Sequence, residues 1–162
     1  MSNPSAITIR RFRPGDATAL RQVFHSAVHC AASADYSTEQ IDAWAPASVD
    51  LVLWGRHMES LNPFVAIAED EIVGYADVQK SGYIDHYYVS GHYPRRGVGS
   101  SLMRALHEEA GRLQLRELTS HVSRTAQPFF ARIGFDVVEH RSPTIRGVIV
   151  PNALMRKVLR AS

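Results

Sequence analysis

The chain has 162 residues, of which 45% are hydrophobic and 21% charged, a balance typical of one soluble globular domain spanning residues 1–162. Its 18 basic and 16 acidic residues are scattered and leave a formal net charge of only +2, so the charge does not indicate a nucleic-acid partner. The lone Cys30 excludes an internal disulfide, and the N-terminus has no apolar signal core, so we expect a cytoplasmic protein with no membrane partner.

The first two elements are a strand and a helix. Residues 6–13 alternate apolar and polar side chains, which predicts a half-buried strand. A Pro-Gly-Asp turn breaks it, and a helix is then predicted to run to about residue 31, with Asp16 or Gly15 as its cap.

Two histidines on this helix have the spacing of a metal-binding pair. His25 and His29 stand at positions i and i+4, which places them on one helix face. A metal site needs more ligands, and no third one is evident nearby, so we expect no metal.

Two further helices follow. Ser37 and Gln40 form a Ser-x-x-Gln capping box for a short helix that Pro46 ends. Residues 49–61 are predicted to form the next helix.

Three strands then occur in succession. Residues 64–68 and 72–78 flank a short polar connection, which predicts a β-hairpin, and residues 83–89 form an aromatic and β-branched third strand. We expect an antiparallel meander. Strand alternation puts one set of side chains on each face of the third strand, namely Tyr83, Asp85 and Tyr87 against Ile84, His86 and Tyr88.

A glycine loop separates this central strand from an amphipathic helix. Gly97 and Gly99 open a helix that runs to about residue 112, and residues 117–122 predict a strand parallel to the central one. Unpaired N–H groups at a helix start attract anions, and Arg95 and Arg96 add donors suited to phosphate. The loop is therefore a candidate phosphate cradle; the alternative is a tight strand-to-helix turn beside two solvated arginines.

Two nucleotide motifs do not fit the loop. A dinucleotide fingerprint requires a third small residue where the chain has Leu102. A Walker A loop requires Gly-Lys-Ser/Thr, whereas Gly99 is followed by Ser100.

The loop resembles the acyl-CoA loop of the GNAT N-acetyltransferase superfamily, whose pattern is Gln/Arg-x-x-Gly-x-Gly/Ala. Residues 96–99 match its core, whereas Pro94 stands where the family usually has Gln or Arg. Residues 123–135 predict a short helix closed by Gly134. That segment resembles the GNAT pattern Ala-x-x-Phe-Tyr-x-x-x-Gly-Phe, which it matches at Ala126, Phe129, Gly134 and Phe135.

The resemblance extends from about residue 7 to 159 and implies an α/β GNAT fold, with a mixed, splayed sheet of about seven strands flanked by helices. It also implies that acetyl-CoA binds between the two parallel strands, with its pyrophosphate on the glycine loop. Backbone groups of residues 87–89 would hold the pantetheine and polarise the thioester carbonyl. The implied cofactor contacts are Tyr87, Tyr88, Val89, Arg95, Arg96, Gly97, Val98, Gly99, Ser100, Ser123, Phe129 and Arg132.

Catalytic candidates also lie on the central strand. GNAT enzymes with a strand-borne base take it from the positions of Tyr83 and Asp85, and Asp85 is our candidate, with His86 second. The alternative is that Asp85 is satisfied by neighbouring groups and only holds structure. The family's usual acid is a tyrosine at the position of Phe130, so Tyr83 or Ser123 would protonate the thiolate, or CoA would leave without help. Ser123 has an alternative role as a helix N-cap.

The implied function is transfer of an acetyl group from acetyl-CoA to a primary amine of a small molecule or peptide. In the family the early helical region walls the acceptor site, so Tyr36 and Trp44 are candidate substrate contacts, although such side chains often only pack. The rival is a non-catalytic acyl-CoA sensor or regulator, and a weaker third hypothesis is a nucleotide-binding protein. Exposed edge strands leave room for a homodimer, although no residue specifies one.

Overall fold

The computed structural model describes residues 6–160 and has the predicted α/β pattern. Its helices are α1 (Ala17–Ser26), α2 (Thr38–Trp44), α3 (Leu51–Leu61), α4 (Val98–Arg112) and α5 (Gln127–Arg132). Its strands are β1 (Thr8–Arg11), β2 (Phe64–Ala68), β3 (Glu71–Ala76), β4 (Tyr83–Ile84), β5 (Tyr87–Val89), β6 (Glu117–Ser123), β7 (Asp136–Arg141), β8 (Thr144–Ile145), β9 (Val148–Ile149) and β10 (Asn152–Val158).

The longer strands form two four-stranded sheets. The first has the order β1-β2-β3-β5 and is antiparallel throughout. The second has the order β4-β6-β10-β7, with β4 parallel to β6 and β10 antiparallel to both of its neighbours. The β8–β9 hairpin lies in the connection between β7 and β10. The predicted meander and the predicted parallel βαβ unit are both confirmed.

The central strand, predicted as one piece, is interrupted. Asp85 and His86 stand between β4, which belongs to the second sheet, and β5, which belongs to the first. Because β4 pairs with β6 only through its two residues, β5 and β6 are left apart beyond the interruption. With β4 and β5 counted as one strand, seven main strands lie within residues 6–160, in agreement with the predicted splayed sheet.

Helix starts follow local side-chain chemistry. The capping box of Ser37 and Gln40 is present at α2. α3 begins after Asp50, whose carboxylate accepts from the N–H groups of Val52 and Leu53. The helix therefore starts two residues later than the predicted residue 49. The prediction for α1 was wrong in one respect: Asp16 precedes the helix, but its carboxylate accepts from the Arg10 guanidinium at 2.7 and 2.9 Å and not from the helix amides.

The core has one layer on each face of the first sheet. α4 buries Leu102 and Leu106 completely against one face, and α1 buries Leu20 and Val23 against the other. Each such side chain stabilises the fold by about 1.5–3 kcal/mol relative to leaving it in water. The sheet is thus held firmly beside the interruption. Of the helices within residues 6–160, none is long and apolar enough to cross a membrane.

Candidate active site

The glycine loop lies between β5 and α4, and left-handed residues turn its backbone. Arg95 has φ 58° and Gly97 has φ 80°. Gly97 is the N-cap residue of α4, and no described side chain caps the first amides of that helix. These unpaired N–H groups lie at the positive end of the helix dipole, so the loop is suited to hold an anion.

The two glycines of the loop serve different needs. A Cβ added at Gly97 would meet no atom within 4 Å, so only its positive φ requires glycine. A Cβ at Gly99 would lie 3.5 Å from both the Phe129 ring and the Tyr87 hydroxyl, which is ordinary contact. Space for a ligand is therefore tighter at Gly99 than at Gly97.

The arginines of the loop are exposed. Arg95 and Arg96 both face solvent, and the Arg96 guanidinium carbon lies 5.1 Å from the centre of the Tyr93 ring. These cations are thus free to contact a bound anion.

Asp77, one residue after β3, holds the interruption in the central strand. Its fully buried carboxylate accepts hydrogen bonds from the backbone N–H groups of Asp85 at 3.0 Å and His86 at 2.6 Å. Burial raises the pKa of Asp77 to about 6, although these N–H groups oppose the shift. The two amides have a carboxylate partner in place of a strand partner, so the ladder breaks here without leaving them unsatisfied.

The interruption changes where the catalytic candidates point. Alternation predicted Asp85 and His86 on opposite faces, and this was wrong, because both side chains converge with His57 of α3. Asp85 Oδ2 lies 3.5 Å from His57 Nε2. One ligand atom of each of the three residues lies within 4.8 Å of the other two.

His86 is held among aromatic rings. The rings of Phe24, Trp54 and Tyr88 lie with their centres 5.5–5.9 Å from its own. The Tyr75 hydroxyl is 2.9 Å from His86 Nδ1. Burial lowers the pKa of His86 to about 4, a shift that the nearby Asp85 opposes. The imidazole is therefore neutral at pH 7.

A cleft of about 650 Å³ opens where β5 and β6 part. One further wall is the π-helical turn Ala27–Ala31, which continues α1. All of the residues predicted to contact the cofactor line this cleft, namely Tyr87, Tyr88, Val89, Arg95, Arg96, Gly97, Val98, Gly99, Ser100, Ser123, Phe129 and Arg132.

A side pocket of about 120 Å³ adjoins the cleft, and Tyr87, Tyr88 and Ser123 line both. Its walls include Asp85 and the two predicted substrate contacts, Tyr36 and Trp44.

The Tyr36 hydroxyl donates to the Pro151 carbonyl and accepts from the Arg124 N–H at 2.8 Å. Since both hydrogen bonds are internal, only the ring of Tyr36 is offered to the pocket.

The two candidate proton donors, Tyr83 and Ser123, lie in different places. Tyr83 is not part of the wall of the cleft or of the side pocket; its hydroxyl lies 2.9 Å from Nδ1 of His121, which does line the side pocket. Ser123 lines both spaces, and its hydroxyl accepts from the Ala126 N–H at 3.2 Å. It caps the turn before α5, whereas the N-cap of α5 itself is Ala126.

The residue at the family's tyrosine position is packed into the core. Phe130 is 2% exposed, and its ring contacts those of Tyr87, Phe129 and Phe135 at centre distances of 5.0–5.9 Å. Its edge closes the inner wall of the cleft and the side pocket. A phenylalanine there contributes shape and no proton.

The pair His25 and His29 stacks with ring centres 3.9 Å apart. His29 Nε2 lies 2.7 Å from the Ala45 carbonyl oxygen, which fixes that nitrogen as a donor. The pair is therefore used for packing and for holding the end of α2.

Sequence reasoning missed three residues around the interruption. Asp77 was predicted to lie within a strand, His57 was assigned no role, and His121 was left in a strand. A charged residue inside an apolar strand was the only signal for Asp77. Nothing in the sequence brings His57 to Asp85, because the two meet only through the packing of α3 against α1, which itself packs on the sheet.

Known proteins share this architecture. A family model described as "Acetyltransferase (GNAT) domain" matches residues 32–151. The uncharacterized N-acetyltransferase YafP of Escherichia coli (strain K12) is 37% identical over 150 residues, which cover 93% of this chain and 95% of that protein.

Solved structures agree in fold. The GCN5-related N-acetyltransferase from Rhodopseudomonas palustris has a TM-score of 0.91 and 30% identity, covering 98% of this chain and 99% of that one. The PaiA N-acetyltransferase from Thermoplasma acidophilum, solved in complex with coenzyme A, has a TM-score of 0.73 and 18% identity, covering 95% and 99%. The family match and these relatives establish that the chain belongs to the GNAT acetyltransferase family.

Proposed function

We propose that this protein transfers an acetyl group from acetyl-CoA to a primary amine of a small molecule or peptide by direct nucleophilic attack. The observation that supports this most is that the cleft runs from the glycine loop along β5 and adjoins a side pocket whose wall includes Asp85. The glycine loop, the edge of β5 and the Asp85 carboxylate thus lie in sequence. This is the order in which the phosphates, the pantetheine and the acceptor amine would be bound.

The outer part of the cleft is suited to the phosphates. The α4 amides and the loop arginines supply donors, and among residues 6–160 neither of the exposed side chains of Arg95 and Arg96 forms an ion pair with a carboxylate. Pro94 lacks an N–H, so the loop offers one donor fewer than the family pattern. We expect the difference to weaken binding without abolishing it.

The inner part is suited to pantetheine. Within the part of the chain that the structure describes, β5 is the last strand of its sheet and pairs only with β3. Its other edge faces the cleft, so backbone groups of Tyr87, Tyr88 and Val89 are free to pair with the amides of an extended ligand. An N–H group there would also stabilise the oxyanion formed on the thioester carbonyl.

The acceptor must lose a proton before it attacks. For an amine with a pKa of about 10.4, deprotonation at pH 7 costs about 4–5 kcal/mol. Asp85 lines the side pocket and is 31% exposed, so it can accept that proton directly or through water. His86 is the weaker candidate because Tyr75 engages its Nδ1 and it lies outside the walls of both spaces.

The reaction then needs little help at the leaving group. The amine nitrogen bonds to the thioester carbon, the carbon–sulfur bond breaks, sulfur departs with the electron pair, and the extra proton on the nitrogen passes to the departing thiolate or to water. A thiol pKa of about 8.5 means that the thiolate is a good leaving group near neutral pH. Ser123 lines both the cleft and the side pocket and is the candidate proton donor, whereas Tyr83 lies outside both spaces and contacts His121.

The side pocket limits the acceptor. Its volume of about 120 Å³ admits the end of a side chain or a small amine, not a large fused ring system. Trp44 and the Tyr36 ring give it an apolar wall beside the carboxylate of Asp85. A short alkyl or aralkyl amine fits this mixture.

The cofactor is tested by calorimetric titration of the protein with acetyl-CoA, with ATP and NAD as controls. Gly97→Asp places a carboxylate at the N-cap of α4 and is expected to weaken acetyl-CoA binding at least about tenfold, because it repels phosphate where the helix dipole attracts it. Gly111→Asp makes the same change near the other end of α4 and is the matched control. Absence of acetyl-CoA binding, or equal binding by both variants, would refute the proposed cradle.

The base is tested by acetyl transfer to a panel of primary amines. Asp85→Asn is expected to lower turnover by about 10²-fold or more while leaving acetyl-CoA affinity unchanged. Asp136→Asn, on the exposed start of β7, is the control. Turnover near wild type in Asp85→Asn would remove Asp85 as the base. Acetyl-CoA binding without turnover of any amine would favour the sensor.

A further inference from the structure

We propose that His57, Asp85 and His86 form a binding site for a divalent transition-metal ion of the zinc type. The site was not expected from the sequence, in which these residues are not grouped by spacing. It arises because the strand interruption turns two adjacent side chains toward α3.

The donor set has the chemistry that zinc prefers. Two imidazole nitrogens and one carboxylate oxygen are a common protein ligand set for Zn²⁺, with water completing the coordination. Among the described residues, His57 is the one ion-pair partner of Asp85, so neither Arg nor Lys neutralises this carboxylate.

The distances are close to those of a formed site. Ligands about 2.1 Å from a tetrahedral zinc lie about 3.4 Å from each other. The separation between His57 Nε2 and Asp85 Oδ2 is 3.5 Å, and no pair of ligand atoms in the cluster exceeds 4.8 Å. The His57 side chain is 46% exposed, so rotation of its ring can close the remaining gap.

The supporting contacts hold the other two ligands in place. Tyr75, which is completely buried, hydrogen-bonds Nδ1 of His86 at 2.9 Å and so fixes the ring. Asp77 fixes the backbone at both Asp85 and His86. Metal-binding histidines are commonly oriented by such a partner on the second ring nitrogen.

The cluster is open to solvent on one side. His57 and Asp85 line an outer hollow of about 730 Å³ on the surface. A metal ion can enter through this hollow without passing the cleft, and water there can complete its coordination.

Metal binding and catalysis would exclude each other at Asp85. This consequence rests on the proposed function, since a carboxylate that ligates a metal cannot accept the proton of the acceptor amine. Zinc is therefore expected to inhibit acetyl transfer in the wild type and to have little effect after His57→Ala.

The site is tested without acetyl-CoA or an acceptor. Full-length protein without a histidine tag is treated with a chelator, dialysed and titrated with Co²⁺, and its visible d–d absorption is recorded, followed by displacement with Zn²⁺. We expect one Co²⁺ per chain. His57→Ala and Asp85→Asn should each raise the Co²⁺ dissociation constant at least about tenfold.

Two variants serve as controls. His140→Ala removes an exposed histidine on β7, and His25→Ala removes one member of the stacked pair on α1; both should bind Co²⁺ as the wild type does. Absence of d–d absorption, binding that survives His57→Ala, or binding lost only in His25→Ala would each overturn the proposal. These results do not depend on whether the protein transfers acetyl groups.

Discussion

The glycine loop borders the cleft and the strand interruption borders the side pocket that adjoins it, yet the two are stabilised in different ways. The loop gets its shape from a local backbone conformation, with Gly97 in the left-handed region and the first amides of α4 left unpaired. The interruption gets its shape from a side chain on another strand, because Asp77 takes the amides of Asp85 and His86 out of the ladder. One is a property of consecutive residues, and the other of tertiary packing.

This difference decides how each region responds to mutation. A change in the loop should alter ligand binding and leave most of the fold intact, since the loop is exposed and makes few buried contacts. A change at Asp77 should affect the sheet, because it leaves two part-buried N–H donors without a partner.

The largest effect is expected for Asp77→Ala. Two part-buried N–H groups without an acceptor should lower the free energy of unfolding by about 2–4 kcal/mol, partly offset by removal of a buried charge. Urea denaturation followed by circular dichroism measures this. Asp77→Asn keeps one acceptor oxygen and should lose clearly less of the free energy of unfolding. Equal losses in the two variants would mean that the hydrogen bonds from Asp85 and His86 to Asp77 do not stabilise the fold.

An intermediate effect is expected in the loop. Gly97→Ala puts a Cβ on a residue with φ 80° and should lower the free energy of unfolding by about 1–2 kcal/mol. Gly99→Ala is the matched control, because it lies in the first turn of α4 and its Cβ would make only ordinary contacts. Its stability should stay within about 1 kcal/mol of wild type. The same denaturation experiment compares them, and a larger loss at Gly99 would contradict the roles assigned to the two glycines.

The smallest effect, and the one that depends on pH, is expected at Asp16. This carboxyl is buried like Asp77 but has a cation partner: hydrogen bonding to Arg10 lowers the pKa of Asp16 below its ordinary value. A lowered pKa contributes stability above the unfolded pKa of about 3.9 and loses it as the pH falls through the folded pKa.

Asp16→Asn should therefore be less stable than wild type by about 1 kcal/mol near pH 7, and the difference should shrink as the pH falls below about 4. Unfolding curves at several pH values give the result, with the exposed Asp42→Asn as control. If the stability difference between Asp16→Asn and wild type grew as the pH fell, the pKa of Asp16 would not be lowered in the folded state.

The fold could be predicted largely from local patterns. The capping box at Ser37, the hairpin before residue 78 and the glycine loop each depend on a few consecutive residues. The two GNAT signatures indicate the order of the elements along the chain. The walls of the cleft followed as well, because the family motif and the βαβ unit together fix which residues face the gap between β5 and β6.

The inner end of the site could not be predicted in the same way. Period-two alternation assumes an unbroken strand, and Asp77 breaks it by tertiary hydrogen bonding. Once the strand is broken, the directions of Asp85 and His86 depend on α3 and on Tyr75, which are distant in sequence. The role of Asp16 was misassigned for a similar reason, since Arg10 on a neighbouring element competes for its carboxylate.

The position of Asp85 between two spaces has a consequence for turnover. Its side chain borders both the side pocket and the outer hollow. In the proposed mechanism Asp85 must return its proton to bulk water after each cycle, and CoA would occupy the cleft at that point. The outer hollow would give this proton a separate route to water, so that Asp85 would lose it before CoA leaves.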